Sequence, residues 1–126
     1  HKIVDYMIVK DEVEPIKSEV IKGCSNSDVD VVLTNGGTGI AKRDVTIETV
    51  QSIFEKEIPG FGEIFRMLSY TDDIGSAALL SRAAAGVVND RAVFSTPGST
   101  GAVRLAMEKL IIPEIGHVVR ELTKDL

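Results

Sequence analysis

One stretch decides the fold: Leu33-Thr-Asn-Gly-Gly-Thr-Gly-Ile-Ala-Lys-Arg-Asp-Val-Thr46. It overlaps an apolar segment, residues 29–34, whose β-branched side chains predict a buried strand. Three glycines follow within four residues, and a helix-compatible segment begins near Thr46. A strand, a glycine-rich loop and a helix can surround an anion with backbone N–H groups and a helix start. Taken alone, the loop fits a plain turn as well as an anion site, because it has neither Walker A nor Gly-x-Gly-x-x-Gly spacing.

The residues before this stretch continue an α/β pattern. Residues 2–9 mix β-branched and aromatic side chains and predict a strand. Val13, Ile16 and Val20 recur at helical spacing before Gly23. A strand, a helix and a strand in succession imply a right-handed crossover and a parallel sheet. Because a strand at the very start is abrupt for a domain, we expect that an upstream portion is missing.

The residues after the glycine-rich stretch predict helices and one hairpin. Residues 83–88 and 91–96 are expected to be strands joined by a tight turn at Asn89-Asp90, although residues 83–85 could extend the preceding helix. Residues 97–101 form a second glycine-containing loop, with Ser99 as the N-cap of the next helix. The expected helices cover residues 46–57, 61–70, 76–82, 100–110 and 113–122.

The bulk composition excludes several classes of protein. A chain of 126 residues with 44% hydrophobic and 26% charged residues fits one soluble domain. The net charge of -5 and the absence of Trp argue against a nucleic-acid binder, which needs a basic face and stacking aromatics. No apolar run is long enough to span a membrane. The single cysteine, Cys24, allows no internal disulfide, and a cytoplasmic location is the simplest expectation.

Candidate functional residues gather at one predicted edge of the sheet. The carboxyl ends of parallel strands meet at the same edge, where α/β proteins bind ligands. The loops of residues 35–43 and 97–101 both follow strands, and so does Asp11. Asp44 closes the first loop. Two carboxylates beside a phosphate-binding loop would suit a Mg²⁺–nucleotide complex.

Each candidate also has a structural interpretation. Asp11 could cap the helix that starts near Pro15, Glu63 could be a helix-start carboxylate, and Ser99 is first of all a cap. Arg82 is interpreted as a structural or interface arginine. The sequence shows no Ser-His-Asp triad and no metal-spaced Cys/His cluster. These observations favour the positioning of phosphates over catalysis by a side-chain nucleophile.

The glycine-rich stretch resembles the signature of a known family. Thr34-Asn-Gly-Gly-Thr-Gly-Ile-Ala-Lys-Arg-Asp-Val-Thr46 is similar to the signature of the MogA/MoaB molybdenum cofactor biosynthesis family, whose relatives include the gephyrin G domain. Lys10 stands where the family usually has proline. Further similar segments follow in family order: Val9-Lys-Asp-Glu12, Pro59-Gly-Phe-Gly-Glu63, Phe65-Arg-Met-Leu-Ser69, Leu80-Ser-Arg-Ala83 and Pro97-Gly-Ser99. As an ordered set they span essentially the whole chain.

The resemblance implies a fold. The family has a three-layer α/β/α sandwich with a mostly parallel sheet. Its first strand and first helix precede the segment that begins this chain. We therefore expect residues 1–126 to form a single molybdopterin-binding domain that is incomplete at its N-terminus.

The resemblance also implies an activity, the Mg-ATP-dependent adenylylation of molybdopterin to adenylyl-molybdopterin and pyrophosphate. By position in the motifs, Asp11 and Asp44 match the carboxylates tied to catalysis and to the Mg²⁺ ion. ATP and molybdopterin are the implied substrates. The implied phosphate- and substrate-binding residues are Gly36, Gly37, Thr38, Gly39, Glu63, Ser81, Pro97, Gly98 and Ser99.

Two features bear on the branch of the family. Residues 61–69 and 80–87 resemble the MoaB branch, whose members are not uniformly active, whereas Arg43-Asp44 resembles the active branch. We therefore favour an enzyme, with a non-catalytic binding module or an oligomeric scaffold as alternatives. The family implies a homotrimer or homohexamer. Phe61 and Phe65 could serve its interface or the core.

Overall fold

A four-stranded sheet forms the middle of the protein, which a computed structural model describes over residues 1–126. The strands are β1 (Val31–Asn35), β2 (Lys56–Glu57), β3 (Ala84–Val88) and β4 (Arg91–Thr96). Their order across the sheet is β1-β4-β3-β2. β1 runs parallel to β4, with Val31 opposite Ala92, while β3 is antiparallel to both β4 and β2. The glycine-rich loop therefore leaves the sheet beside the carboxyl end of β4.

Helices cover both faces of the sheet. They are α1 (Val13–Cys24), α2 (Thr46–Gln51), α3 (Pro59–Asp72), α4 (Thr100–Ala106) and α5 (Ile112–Thr123). A π-helical turn, Met107–Ile111, joins α4 to α5. None of these helices combines the length and the apolar composition needed to cross a membrane.

Neighbouring residues of β4 supply the two cores on opposite faces of the sheet. Val93 packs with Ile16 and Val20 of α1 and with other residues on that face. Phe94 packs with Phe61 and other residues of the second face. This alternation follows from the period of two in a strand. The expected α/β class and three-layer arrangement are confirmed.

The aromatic residues of α3 belong to the core. Phe65 is completely buried, and Phe61 is 7% exposed. The rings of Phe61 and Phe94 meet edge-to-face with their centroids 5.1 Å apart, which is a favoured aromatic geometry. Of the two expected roles of these phenylalanines, an oligomer interface or the core, the structure shows the core.

The sheet is less parallel than expected. Only the β1–β4 pairing is parallel, because residues 84–96 fold back as a β-hairpin. Its turn residues, Asn89 and Asp90, have φ of 48° and 63°, as a type I′ turn requires. The predicted tight turn is therefore confirmed, and the mostly parallel sheet is not found among these four strands.

The predicted strand at residues 2–9 is wrong. This segment has neither helix nor strand, and its apolar side chains other than Val9 are exposed, with Ile3 at 82% and Ile8 at 85%. None of residues 1–9 exchanges backbone hydrogen bonds with a neighbouring strand. High β propensity does not form a strand unless another strand pairs with it.

Smaller differences concern the type, number and ends of elements. The helix predicted at residues 46–57 is α2, which ends at Gln51. The helix predicted at residues 76–82 is a 3₁₀ helix, Gly75–Leu80. The short strand β2 was not predicted. Thr46 is the first residue of α2, and Val45 occupies the cap position that was expected for Thr46. The predicted cap at Ser99 is confirmed, because its Oγ accepts the Ala102 N–H at 3.2 Å.

The only cysteine is a free thiol buried in the folded protein. Cys24 is 1% exposed, and burial raises the pKa of its thiol to about 11, although the charge of Arg91 acts in the opposite direction. Because the thiolate is the reactive form, we expect no reaction with Ellman's reagent at about pH 8, near the ordinary thiol pKa, until denaturant is added. Rapid labelling of the native protein would contradict this placement.

Candidate functional site

The glycine-rich loop begins where β1 ends and turns back against β4. Gly36 and Gly37 have φ of 103° and 67°, in the region that residues with a side chain disfavour. The Gly36 N–H donates to the Thr96 carbonyl at 2.8 Å, and the Thr46 N–H donates to the Gly37 carbonyl at 3.1 Å. These two bonds fix the loop between the end of β4 and the start of α2.

Two of the glycines allow close approach of neighbouring groups. A Cβ atom on Gly37 would collide with the Oγ1 atom of Thr46, which is buried. A Cβ atom on Gly39 would lie 2.7 Å from the Oδ2 atom of Asp44. A side chain at either glycine would therefore displace a neighbour that shapes the loop.

Successive N–H groups of the loop have no partner in the protein. The backbone N–H groups of Gly37, Thr38, Gly39 and Ile40 donate to no backbone carbonyl and to no side chain. Thr38 is only 4% exposed and Gly37 and Gly39 are half-buried, whereas Ile40 is 69% exposed. Buried N–H groups in proteins are almost always paired, and successive unpaired N–H groups form a concave surface suited to an anion.

Asp44 closes the loop with one carboxylate oxygen. Its Oδ2 atom accepts the Ala41 N–H at 3.0 Å, and its own N–H donates to the Ala41 carbonyl at 2.9 Å. The Oδ1 atom accepts no hydrogen bond from the protein. Asp44 is thus held in place while one oxygen stays available to a ligand.

The second glycine-containing loop lies against the first. Gly98 is so close to Gly36 that a Cβ atom on Gly98 would lie 3.5 Å from the Gly36 Cα atom. Pro97, Gly98 and Ser99 connect β4 to α4, and Ser99 is exposed. The two loops meet at the carboxyl ends of β1 and β4, as the sequence predicted. Their role in binding a phosphate stays a prediction.

Arg82 holds the glycine-rich loop from the side. Its Nε atom donates to the Gly39 carbonyl at 2.9 Å and its Nη2 atom to the Asp44 carbonyl at 3.0 Å. Its Nη1 atom donates to the Oε2 atom of Glu48 at 2.7 Å, and its backbone N–H donates to the Thr38 carbonyl at 3.1 Å. The sequence indicated only a structural or interface arginine. The residues next to Arg82 in the sequence do not indicate that its hydrogen-bond acceptors are the distant Gly39 and Asp44 carbonyls.

The Arg82–Glu48 pair makes stability depend on pH. The hydrogen bond from Arg82 lowers the pKa of the Glu48 carboxyl. A carboxyl with a lowered folded-state pKa stabilises the fold above its ordinary pKa, about 4.3, and this contribution is lost as the pH falls through the lowered pKa. We therefore expect Glu48→Gln to lower the free energy of unfolding slightly at neutral pH and not in strong acid. Urea unfolding over a pH series measures this, and a difference that is constant with pH would contradict it.

Glu63 and Ser81 line a cavity next to the loop. The cavity has a volume of about 430 Å³ and lies between α2, α3 and the segment that leads into β3. Arg66 and Arg82 also line it, whereas neither the loop glycines nor residues 97–99 do. The predicted site residues therefore fall into two adjoining groups, and Arg82 contacts both.

Asp11 stands apart from the other candidates. It is exposed, precedes α1, and makes no hydrogen bond or ion pair with Asp44 or the glycine-rich loop. Gly23, at the far end of α1, lies against Val32 near the start of β1, so that α1 runs antiparallel to β1. Asp11 therefore lies toward the carboxyl edge of the sheet, and no hydrogen bond joins it to the loop.

Asp44 is the residue that best fits a divalent cation. No three His, Cys, Asp or Glu side chains lie close enough together to hold a metal ion by themselves. Mg²⁺ is commonly held by one or two carboxylates together with substrate phosphates, so a larger protein cluster is not needed. The free Oδ1 atom of Asp44 beside unpaired N–H groups suits that mode.

Comparison with known proteins adds to this geometry. The sequence profile of a family described as "Probable molybdopterin binding domain" matches residues 1–117. The Molybdenum cofactor biosynthesis protein B of Bacillus subtilis (strain 168) is 66% identical over 125 residues, which cover 99% of this chain and 74% of that protein. The chain belongs to the MogA/MoaB family. MoaB-type proteins are among the relatives that it resembles.

Solved structures of the MogA/MoaB family share the fold. A crystal structure of Molybdenum cofactor biosynthesis protein B has a TM-score of 0.96 at 61% identity, covering 98% of this chain and 77% of that one. The crystal structure of a tungsten cofactor synthesizing protein MoaB from Pyrococcus furiosus has a TM-score of 0.77 at 41% identity, covering 93% and 73%. The site residues described above therefore sit on the MoaB scaffold.

Proposed function

We propose that this protein acts in molybdenum cofactor biosynthesis by adenylylating molybdopterin at the expense of Mg-ATP. The observation that carries the proposal is the row of unpaired N–H groups at Gly37, Thr38, Gly39 and Ile40 beside the free Oδ1 atom of Asp44. Phosphate oxygens accept hydrogen bonds from such N–H groups, and a cation between carboxylate and phosphate neutralises charge. Both substrates carry phosphates, and membership of the MogA/MoaB family supports a pterin as one of them.

In the proposed reaction the substrate supplies the nucleophile. An oxygen of the terminal phosphate of molybdopterin forms a bond to the α-phosphorus of ATP. The bond from that phosphorus to the bridging oxygen of the β-phosphate breaks, and pyrophosphate leaves with the electron pair. The attacking phosphate is already ionised near neutral pH, because its second pKa is about 6, so no strong general base is needed.

The chain contributes position and electrostatics to this reaction. The loop N–H groups would hold phosphate oxygens in line for displacement, and Lys42 and Arg43 lie exposed at the tip of the loop where they can pair with phosphate. Bound Mg²⁺ would neutralise charge on the transferring phosphates through Asp44. Asp11, which lies toward the same edge of the sheet, is proposed as a second carboxylate for the loaded site.

The remaining predicted residues are proposed to hold the substrates. Glu63 and Ser81 line the adjoining cavity, and Pro97, Gly98 and Ser99 lie beside Gly36. The expected homotrimer or homohexamer is supported by exposed apolar side chains on α3 and the following 3₁₀ helix, which are Ile64, Met67 and Leu79. The cytoplasm remains the expected location.

The alternative is a module that binds molybdopterin or nucleotide without turnover. In its favour, the family that the chain matches is described by molybdopterin binding and not by a reaction. Calorimetry with ATP and with molybdopterin, followed by an assay of pyrophosphate release, separates the possibilities. An enzyme gives heat with both ligands and releases pyrophosphate only when both are present. A binding module gives heat without pyrophosphate, and a scaffold gives neither.

A further inference from the structure

Arg82 has an unusual set of partners. All four of its hydrogen bonds end within residues 38–48, on the Thr38, Gly39 and Asp44 carbonyls and on Glu48. Its own position is set by the segment between the 3₁₀ helix and β3, so it links two parts of the chain that are distant in sequence. Arg82 therefore connects the cavity segment to the glycine-rich loop in two ways: its backbone N–H binds the Thr38 carbonyl, and its guanidinium binds Gly39, Asp44 and Glu48.

Two of these bonds determine where loop N–H groups point. In a trans peptide the carbonyl and the following N–H point in opposite directions, and every peptide in the chain is trans. The Thr38 carbonyl accepts the backbone N–H of Arg82 and the Gly39 carbonyl accepts its Nε–H, so the N–H groups of Gly39 and Ile40 point away from Arg82. Only the second of these bonds depends on the side chain. The Gly39 and Ile40 N–H groups are two of the four unpaired N–H groups of the loop.

The third carbonyl links Arg82 to the carboxylate. The Asp44 carbonyl accepts from Nη2 of Arg82, while the Asp44 side chain accepts the Ala41 N–H. The planar guanidinium reaches Gly39 and Asp44 at once with donors in fixed directions, which an ammonium group cannot do. The guanidinium of Arg82 thus holds both the glycine-rich loop and the backbone of Asp44.

We propose that Arg82 is a positioning residue, which aims the unpaired N–H groups of the loop and sets Asp44 against them. This inference rests on the proposed function, because it assigns Arg82 a part in phosphate transfer. Arg82 touches no reacting atom in this role. Its side chain acts through the Gly39 carbonyl, which aims the Ile40 N–H, and through the Asp44 carbonyl.

Arg91 offers a matched control. Its guanidinium also donates three hydrogen bonds to carbonyls, to Val29 at 3.1 Å, Asn26 at 2.9 Å and Asn89 at 2.9 Å. It begins β4, at the end opposite to the loops. Arg91→Gln therefore removes a comparable number of bonds without touching the loop.

The experiment compares Arg82→Gln, Arg82→Lys and Arg91→Gln in the full chain. We expect kcat for pyrophosphate release to fall about 10- to 100-fold in both Arg82 variants, the size of effect that a misplaced active site gives, and to change less than threefold in Arg91→Gln. Equal kcat losses for Arg82→Gln and Arg91→Gln would overturn the inference. So would wild-type activity in Arg82→Lys, which keeps the charge and decides the matter if Arg82→Gln does not fold.

A second measurement is independent of turnover. The N–H groups of Ala41 and Thr46 are hydrogen-bonded inside the loop region, and their hydrogen exchange can be followed by NMR. We expect Arg82→Gln or Arg82→Lys to speed their exchange at least about tenfold relative to Arg91→Gln, since local opening becomes easier. If the wild-type protein makes no pyrophosphate, the proposed function fails, and unchanged exchange would separately overturn the role of Arg82.

Discussion

Replacing Asp44 with asparagine should lower kcat for pyrophosphate release by about 10²- to 10³-fold, the loss typical of removing one electrostatic group from an active site. Asparagine keeps a side-chain oxygen that can accept the Ala41 N–H, so the loop should remain closed. It removes the charge and with it the affinity of Oδ1 for a cation. Calorimetry should therefore show molybdopterin binding nearly unchanged while turnover is lost.

The control for this variant is Asp90→Asn. Asp90 lies in the hairpin turn at the other end of β4, where its φ of 63° is tolerated by asparagine. Asp90→Asn removes one negative charge, as Asp44→Asn does, so a general effect of net charge would appear in both variants. Undiminished pyrophosphate release in Asp44→Asn would contradict the role assigned to the carboxylate.

Replacing Gly37 with alanine should lower the free energy of unfolding by about 2–5 kcal/mol. Left-handed backbone costs a residue with a side chain about 1–2 kcal/mol, and forcing an extra methyl group into a packed site costs about 1–3 kcal/mol more. Gly37 meets both conditions, since its φ is 67° and its Cβ atom would collide with Thr46 Oγ1. Urea unfolding measures the loss, and activity should fall with it because the loop must shift.

Alanine substitutions at two other glycines separate the cost of the left-handed backbone from the cost of crowding. Gly36 has a φ of 103° but open space around it, so Gly36→Ala should show the backbone cost alone. Gly60 lies in α3 with open space and no positive φ, so Gly60→Ala should be neutral or stabilising by up to about 1 kcal/mol. If Gly37→Ala is no more destabilised than Gly36→Ala, the crowding against Thr46 does not constrain the loop.

The sequence predicts the turns and helix starts whose geometry depends on one or two neighbouring residues. Asn89-Asp90 predicts the hairpin turn because both residues tolerate positive φ, and Ser99 predicts its helix start because its hydroxyl can cap. The meeting of the two glycine-containing loops also follows, because parallel neighbours such as β1 and β4 end at the same edge.

What the sequence does not predict depends on partners that are distant in the chain. Residues 2–9 have the composition of a strand, yet pairing decides whether a strand forms, and none pairs with them. β2 exists only because Lys56 and Glu57 pair with Val87 and Gly86. Asp11 was expected at the site because a strand was expected before it. Arg82 holds the loop through acceptors that no nearby residue reveals.

The central claim is most directly tested by following the label of [α-³²P]ATP in the presence of Mg²⁺, molybdopterin and the purified protein. The proposed reaction predicts that the label moves into adenylyl-molybdopterin, with one pyrophosphate released for each product formed. It also predicts no transfer when molybdopterin is omitted. Binding of both substrates without any labelled adenylyl-molybdopterin would contradict the account and leave the chain as a binding module.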